Sequence, residues 1–275
     1  MEKIYKSVVI LSILSVAGVA IADESSSPPT VSNLFQTSTV FPNEKGEVSI
    51  FVLPSYNNEH LGEYTTSWPV SITYGVTDAF MLTVGWTPVM TNNVDGNTYH
   101  GSSDIKLGTQ YSFMNINNSN FSAALAFTYS QPQGDINKGM TQGFRTYEPT
   151  ALFNEDLPNL NHVNLFSQVG FDFVEKVESV SSGNQVIQQP PTAHSFFLDA
   201  GFYIPVGSMR YVSQINWNNN RWNHNGTTDA LYFSPGIIWE AAKKLELGIS
   251  APIGLTYESD YYQILAEVTY DIDLL

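Results

Sequence analysis

From Trp68 to Trp86 the chain alternates apolar and small polar residues, turns once, and alternates again. Trp68, Val70, Ile72 and Tyr74 fall on one face, joined after the Gly75 to Ala79 turn by Phe80, Leu82, Val84 and Trp86. The interleaved face holds Ser67, Pro69, Ser71, Thr73, Met81, Thr83, Gly85 and Thr87. A period of two on both sides of a Gly/Asp-bearing turn is the pattern of an antiparallel hairpin with one apolar face and one mild face. Two architectures accept such a hairpin. In a soluble sandwich the apolar face is the core, and in a membrane barrel it is the outside.

The same period returns along the chain from Glu47 onward. It predicts twelve strands, at about 47–56, 64–74, 80–87, 102–113, 120–131, 144–153, 162–174, 194–204, 208–217, 230–239, 245–253 and 261–272. Strands six and ten carry Pro149 and Pro235 and have apolar residues on both faces. The connections alternate in length. Those after the even strands through ten are short: Gly75 to Ala79, Met114 to Ser119, Asn154 to Asn161, Pro205 to Gly207 and Glu240 to Lys244. The others tend to be longer and more polar, as in Pro88 to Gly101, Pro132 to Gly143, Glu175 to Ala193 and Asn218 to Asp229. An even strand count with short turns at one end and longer loops at the other is the plan of outer-membrane barrels.

Lys3 and Lys6 precede an apolar run from Val8 to Ile21, and Ala20-Ile21-Ala22 is a cleavage signal, so residues 1–22 read as a secretory signal peptide. Residues 23–46, rich in Ser, Thr, Pro and Asn, read as a flexible periplasmic segment ahead of a barrel at 47–275. Without the signal the chain has 9 basic and 25 acidic residues, a net charge of −16, which argues against a nucleic-acid partner. No later stretch approaches about 18 consecutive apolar residues, the length of a membrane helix. Cysteine is absent, which excludes a lipoprotein anchor, a disulfide framework and thiolate catalysis. Aromatic residues at 13% with charged residues also at 13% suit a surface that is partly out of water.

These features together favour the barrel. Trp68, Tyr74, Phe80 and Trp86 then form two aromatic levels bracketing an aliphatic band, as at a bilayer's interfaces. With the turn centred near Thr77, Tyr74 is expected opposite Phe80 and Trp68 opposite Trp86. The opposite face lines the lumen. Its predicted lining includes Lys106, Gln110, Gln168, Asp172, Phe197, Asp199, Tyr203, Arg210, Gln214, Glu246, Gln263 and Glu267, with Tyr147 and Phe233 as further inward aromatics. Twelve strands enclose a narrower lumen than a sixteen-stranded porin's. Wall side chains and the 23–46 lead-in are able to occlude it.

Several segments resemble the outer-membrane transporter family labelled "MetA-pathway of phenol degradation". They are Tyr74-Gly75-Val76-Thr77-Asp78, the run from Gly101 to Gly108, Gln131-Pro132-Gln133-Gly134-Asp135, Asp199 to Gly207 and Gly248 to Gly254. The resemblance implies a porin-like barrel passing aromatic or other hydrophobic compounds. It brings no established functional residues with it.

Catalysis has little to stand on. His60, His100, His162, His194 and His224 are scattered over predicted loops and turns, without metal-ligand spacing such as H-E-x-x-H. No nucleotide-binding loop supplies energy. The expectation is a passive channel in the outer membrane of a Gram-negative bacterium, exported through the periplasm, with lipid and small solutes as partners and no catalytic residues, metal or cofactor. Asp199, sharing a face with Phe197 and Tyr203, is placed to orient a solute hydroxyl. Two other classes stay open: a structural or surface-interaction protein using the 175–193 loop, and a lipid-modifying outer-membrane enzyme.

Overall fold

The computed structural model describes residues 31, 33–59, 62–94, 96–141, 143–175, 194–219 and 229–274. The signal segment, His60, His224 and the 176–193 part of the long loop lie outside the described residues.

Twelve strands run antiparallel in chain order: β1 (Glu47–Val52, continued by Ser55–Asn58), β2 (Tyr64–Ser67 and Val70–Thr77), β3 (Phe80–Trp86 and Met90–Val94), β4 (Asn97–Gly101 and Ile105–Phe113), β5 (Phe121–Gln131), β6 (Arg145–Leu157), β7 (Val163–Glu175), β8 (Ser195–Val206), β9 (Met209–Asn219), β10 (Asp229–Ala242), β11 (Leu245–Ser250 and Ile253–Gly254) and β12 (Tyr262–Asp273). β12 pairs back onto β1, with Thr269 opposite Phe51 and Asp271 opposite Ser49, so the sheet closes on itself. Strand breaks in β1, β2, β3 and β11 fall at Pro54, Pro69, Pro88 and Pro252. A proline gives the ladder no N–H but keeps its carbonyl. Ala266 N–H donates to the Pro54 carbonyl at 2.9 Å, Leu53 N–H to Pro69 at 3.0 Å and Gln263 N–H to Pro252 at 2.8 Å, and the wall stays continuous.

Two local expectations are corrected. The 88–101 connection is no loose loop: Met90–Val94 and Asn97–Gly101 carry β3 and β4 onward as a hairpin beyond the aromatic level. That stretch is mostly Asn, Thr and Gly on both faces, so it shows no apolar alternation although its two strands pair with each other and Met90–Asn93 also with Tyr64–Ser67. In the first hairpin Tyr74 faces Leu82, Thr77 faces Phe80, and Trp86 faces Val70 rather than Trp68. A bulge between Gly75 and Thr77 shortens the turn to Asp78-Ala79, and the Thr77 hydroxyl accepts from the Phe80 N–H at 3.0 Å. Both aromatic levels survive the shift, because every outward residue stays outward.

The wall separates its faces as a membrane barrel must. Trp68 is 52% exposed, Leu82 43%, Leu125 60% and Ile249 58%, whereas inward neighbours such as Ala124, Ser250, Ser112 and Thr269 are small or polar and many are buried. An arginine in the apolar band costs about 2–4 kcal/mol near its middle and much less on the lumen face. Leu82→Arg is therefore expected to destabilise the barrel by that amount in lipid vesicles, and Thr83→Arg by well under half of it. Equal losses in urea unfolding would contradict the assignment of faces.

The core lies inside the barrel, and the lead-in supplies much of it. Asn33–Leu34 and Thr37–Ser38 form a two-rung hairpin, and Val31, Leu34 and Phe35 join Phe166, Tyr203, Val212, Ile238 and Leu265 in one buried apolar cluster. Val40 packs with Ala124 and Leu152 in a second. Residues 31–46 are thus not the flexible periplasmic segment that their composition suggested. Four apolar side chains spaced through a polar stretch draw it into the lumen by burial, and hydrogen bonds from the wall hold it there.

Candidate functional site: the occupied lumen

Strand register sets the twelve side chains named as lumen candidates on one face of the wall, alternating with the exposed apolar residues. Gln168 lies beside Asp199 and Asn164 beside Tyr203 between β7 and β8, and Asp172 beside Ser195. Gln214 pairs across from Gly201 and Arg210 from Pro205 between β8 and β9. Tyr147 and Phe233 are corrected to the outer face. Tyr147 stands opposite outward Phe173 and packs on Tyr129 at 5.4 Å, and Phe233 stands opposite Ile215 and Ile253. Both strands were hard to read because Pro149 and Pro235, themselves outward, break the apolar rhythm.

The inner wall holds the lead-in chiefly through its long amides. Ser38 N–H donates to Gln168 Oε1 at 3.1 Å, Thr37 Oγ1 to Gln214 Oε1 at 2.9 Å, Gln36 Nε2 to Gln263 Oε1 at 2.7 Å, and Gln110 Nε2 to the Thr39 carbonyl at 3.0 Å. The Phe35 N–H donates to Glu267 Oε2 at 3.0 Å. Five of the predicted lining residues, on β4, β7, β9 and β12, therefore converge on one short hairpin. A side chain that looks like a solute contact in the sequence is here a contact for the protein's own chain.

Glycines make the room. A Cβ at Gly75 would meet the Glu44 carbonyl oxygen at 2.0 Å, so only glycine lets the lead-in enter beside the β2–β3 turn. A Cβ at Gly236 or Gly248 would come within 2.5 or 3.0 Å of the Phe35 ring. The ring of Phe197 lies in the same way over Gly170, and that of Phe166 over Gly201.

Charge is distributed unevenly along the lumen. Toward the loop end Asp172 accepts from Ser195 Oγ at 2.6 Å and shares a hydrogen bond with Glu148, with Lys106 interacting across from them. Asp199 accepts from Gln168 Nε2 at 2.5 Å and from Asn216. Toward the turn end Arg210, 1% exposed, donates to Glu246 at 2.9 Å and lies 3.5 Å from Glu240. Below it a cavity of about 540 Å³ opens between the lead-in and the turns, walled by Val31, Phe41, Arg210, Glu240, Lys244 and Asp271. Lys244 hydrogen-bonds Asp273 at this rim, which holds its ammonium above the usual lysine range.

The described histidines do not converge. His100 bonds Thr91 at 3.0 Å on the β3–β4 extension, His162 bonds Asp156 at 2.9 Å at a turn, and His194 lies against Phe171 and Phe173 at the loop end. Sequence reasoning singled out neither the plug side chains Val31, Leu34, Phe35 and Val40 nor Glu148. The usable signal for the former was their apolar character within a Ser/Thr/Asn-rich stretch.

No protein-family model matches this sequence, and no curated protein matches it. Its fold is shared with solved structures. The COG4313 outer membrane channel from Pseudomonas putida F1 aligns at TM-score 0.66 and 11% identity, over 85% of this chain and 98% of that one. The KdgM porin aligns at 0.52 and 11%, over 81% and 98%. The β domain of the Bordetella autotransporter BrkA aligns at 0.51 and 10%, over 83% and 99%. Channels and an autotransporter domain thus share the barrel fold of this chain. The protein is an all-β, closed, twelve-stranded transmembrane barrel whose structural neighbours include outer-membrane channels and porins.

Proposed function

We propose that the protein is a passive outer-membrane channel for small solutes, among them hydrophobic or aromatic ones, and that residues 31–44 hold it closed. The observation that carries this reading is the plug itself: a segment continuous with β1, inside the lumen, bound by Glu267 and four glutamines of the wall. Such amides suit a channel wall, since they bind a strand of the chain or a passing polar group equally well. The reading includes export by the 1–22 signal, residence in a Gram-negative outer membrane, and membership of the phenol-degradation transporter family suggested by the turn motifs. It assigns no catalytic role to the lumen. Planar-bilayer conductance of the purified chain, with and without its plug, is the test.

The opened lumen is expected to select cations. Glu148, Asp172, Asp199, Glu246 and Glu267 face inward against Lys106 and Arg210, and Arg210 is already engaged by carboxylates. Charged rings of one sign set the selectivity of a narrow pore. In a potassium chloride gradient the plug-deleted protein should show a reversal potential of cation-selective sign, and Glu148→Gln with Asp172→Asn should weaken it, since they remove two of the five inward carboxylates. An anion-selective reversal potential would remove this account of the lumen.

A second reading is a barrel that serves as a surface-interaction protein and conducts nothing. The plug favours it to the extent that a closed lumen needs no solute. It predicts silence even after plug removal.

A further inference from the structure

The wall carries a niche shaped for an aromatic ring, and the plug fills it with its own. Gly236 on β10 and Gly248 on β11 leave a floor without side chains, on which the Phe35 ring rests. Ile238 and Leu265 belong to the same buried cluster. Phe35 has φ +55°, the left-handed region that a bulky residue disfavours and that glycine or asparagine adopts easily. A hairpin turn has no need of phenylalanine there. The ring is therefore present for the niche.

Beside the ring stands a carboxylate with capacity to spare. Glu267, 1% exposed, accepts the Phe35 N–H through Oε2, and its Oε1 has no hydrogen-bond partner. A buried carboxylate oxygen without a donor is costly and favours an incoming cation or hydrogen-bond donor. Phe35 also defines the spacing, since two carbons separate its ring from the nitrogen that Glu267 holds. The charged groups next to Glu267 are Glu246 and Arg210, and Arg210 is drawn away from it into ion pairs with Glu246 and Glu240.

We propose that this niche is a binding subsite for cationic arylethylamines, which take the glycine floor and Glu267 in competition with Phe35 and thereby favour release of the plug. The coupling to release rests on the channel reading above, whereas the subsite does not.

The test uses the full-length chain in detergent micelles and 2-phenylethylamine as probe, with affinity measured by titration calorimetry and 2-phenylethanol as the uncharged control. Phe35→Ala empties the niche while leaving the rest of the plug, and it should tighten amine binding by roughly tenfold or more, because the competitor no longer lowers the available fraction. In that background Gly248→Val should abolish binding by filling the floor. Glu267→Gln should instead erase the preference for amine over alcohol, a readout that remains if the valine variant fails to show heat-modifiable migration. The proposal is overturned if Phe35→Ala binds the amine no more tightly than the parent, or binds amine and alcohol alike. Conductance separates the two ideas: a plug-deleted protein that conducts while Phe35→Ala binds no amine leaves a channel without this subsite. One that binds the amine but never conducts keeps the subsite and removes the channel.

Discussion

Deleting residues 33–42 is expected to turn an electrically silent barrel into one that conducts in discrete steps. The deletion removes both apolar anchors, Leu34 with Phe35 on one side and Val40 on the other, and the hydrogen bonds from Glu267 and the four glutamines. It leaves β1 to β12 intact, including the β12–β1 closure. A milder variant grades the effect. Phe35→Ala loses about 3 kcal/mol of ring burial, and the left-handed strain at φ +55° stays, because alanine keeps the Cβ that causes it. A loss of about 3 kcal/mol is roughly a hundredfold gain in the ratio of open to closed channels. Brief openings in Phe35→Ala and sustained ones in the deletion would place the plug in control of the pore. A deletion protein that migrates as a folded barrel and stays silent would refute the channel and leave the surface-interaction reading.

Arg210→Met is expected to cause the largest loss of stability among single substitutions in the wall. The guanidinium is buried between Glu246, itself 7% exposed, and Glu240. Removing it leaves two carboxylates facing each other beside the apolar cluster of Ile238 and Val31. Breaking a buried ion pair from one side costs about 3–5 kcal/mol, because the remaining charge has lost both water and partner. The double variant Arg210→Met, Glu246→Gln should recover most of it, since the uncompensated charge goes as well. Arg145→Met is the control. Its pair with Glu175 spans 3.8 Å with both side chains over 40% exposed, so about 0–1 kcal/mol is expected. Urea unfolding in lipid vesicles measures all three, and a loss at Arg210 no greater than at Arg145 would show that the cluster is hydrated.

The strands were legible to within a few residues because a closed barrel has one rule, alternation. Val70 to Trp86 states it plainly and Tyr262 to Ile272 repeats it. The same rule placed Lys106, Gln168, Asp199, Arg210 and Glu267 on the inner face before any partner was known. It failed where polarity no longer alternates, at Met90 to Gly101, and where proline breaks the rhythm, at Tyr147 and Phe233. Register within the first hairpin also escaped it, since a bulge costs one residue and leaves the pattern of faces unchanged.

By itself the sequence determined the wall: the number of strands, the face taken by most of their side chains, and the order of short turns and longer connections. These are local properties, set by neighbours two residues apart. Only the tertiary structure decided what the lumen contains. Phe35 and Glu267 are 232 residues apart, and Thr37 and Gln214 are 177, so no local period relates them. Their meeting depends on β12 closing onto β1 and bringing the far end of the chain around the segment that precedes the barrel.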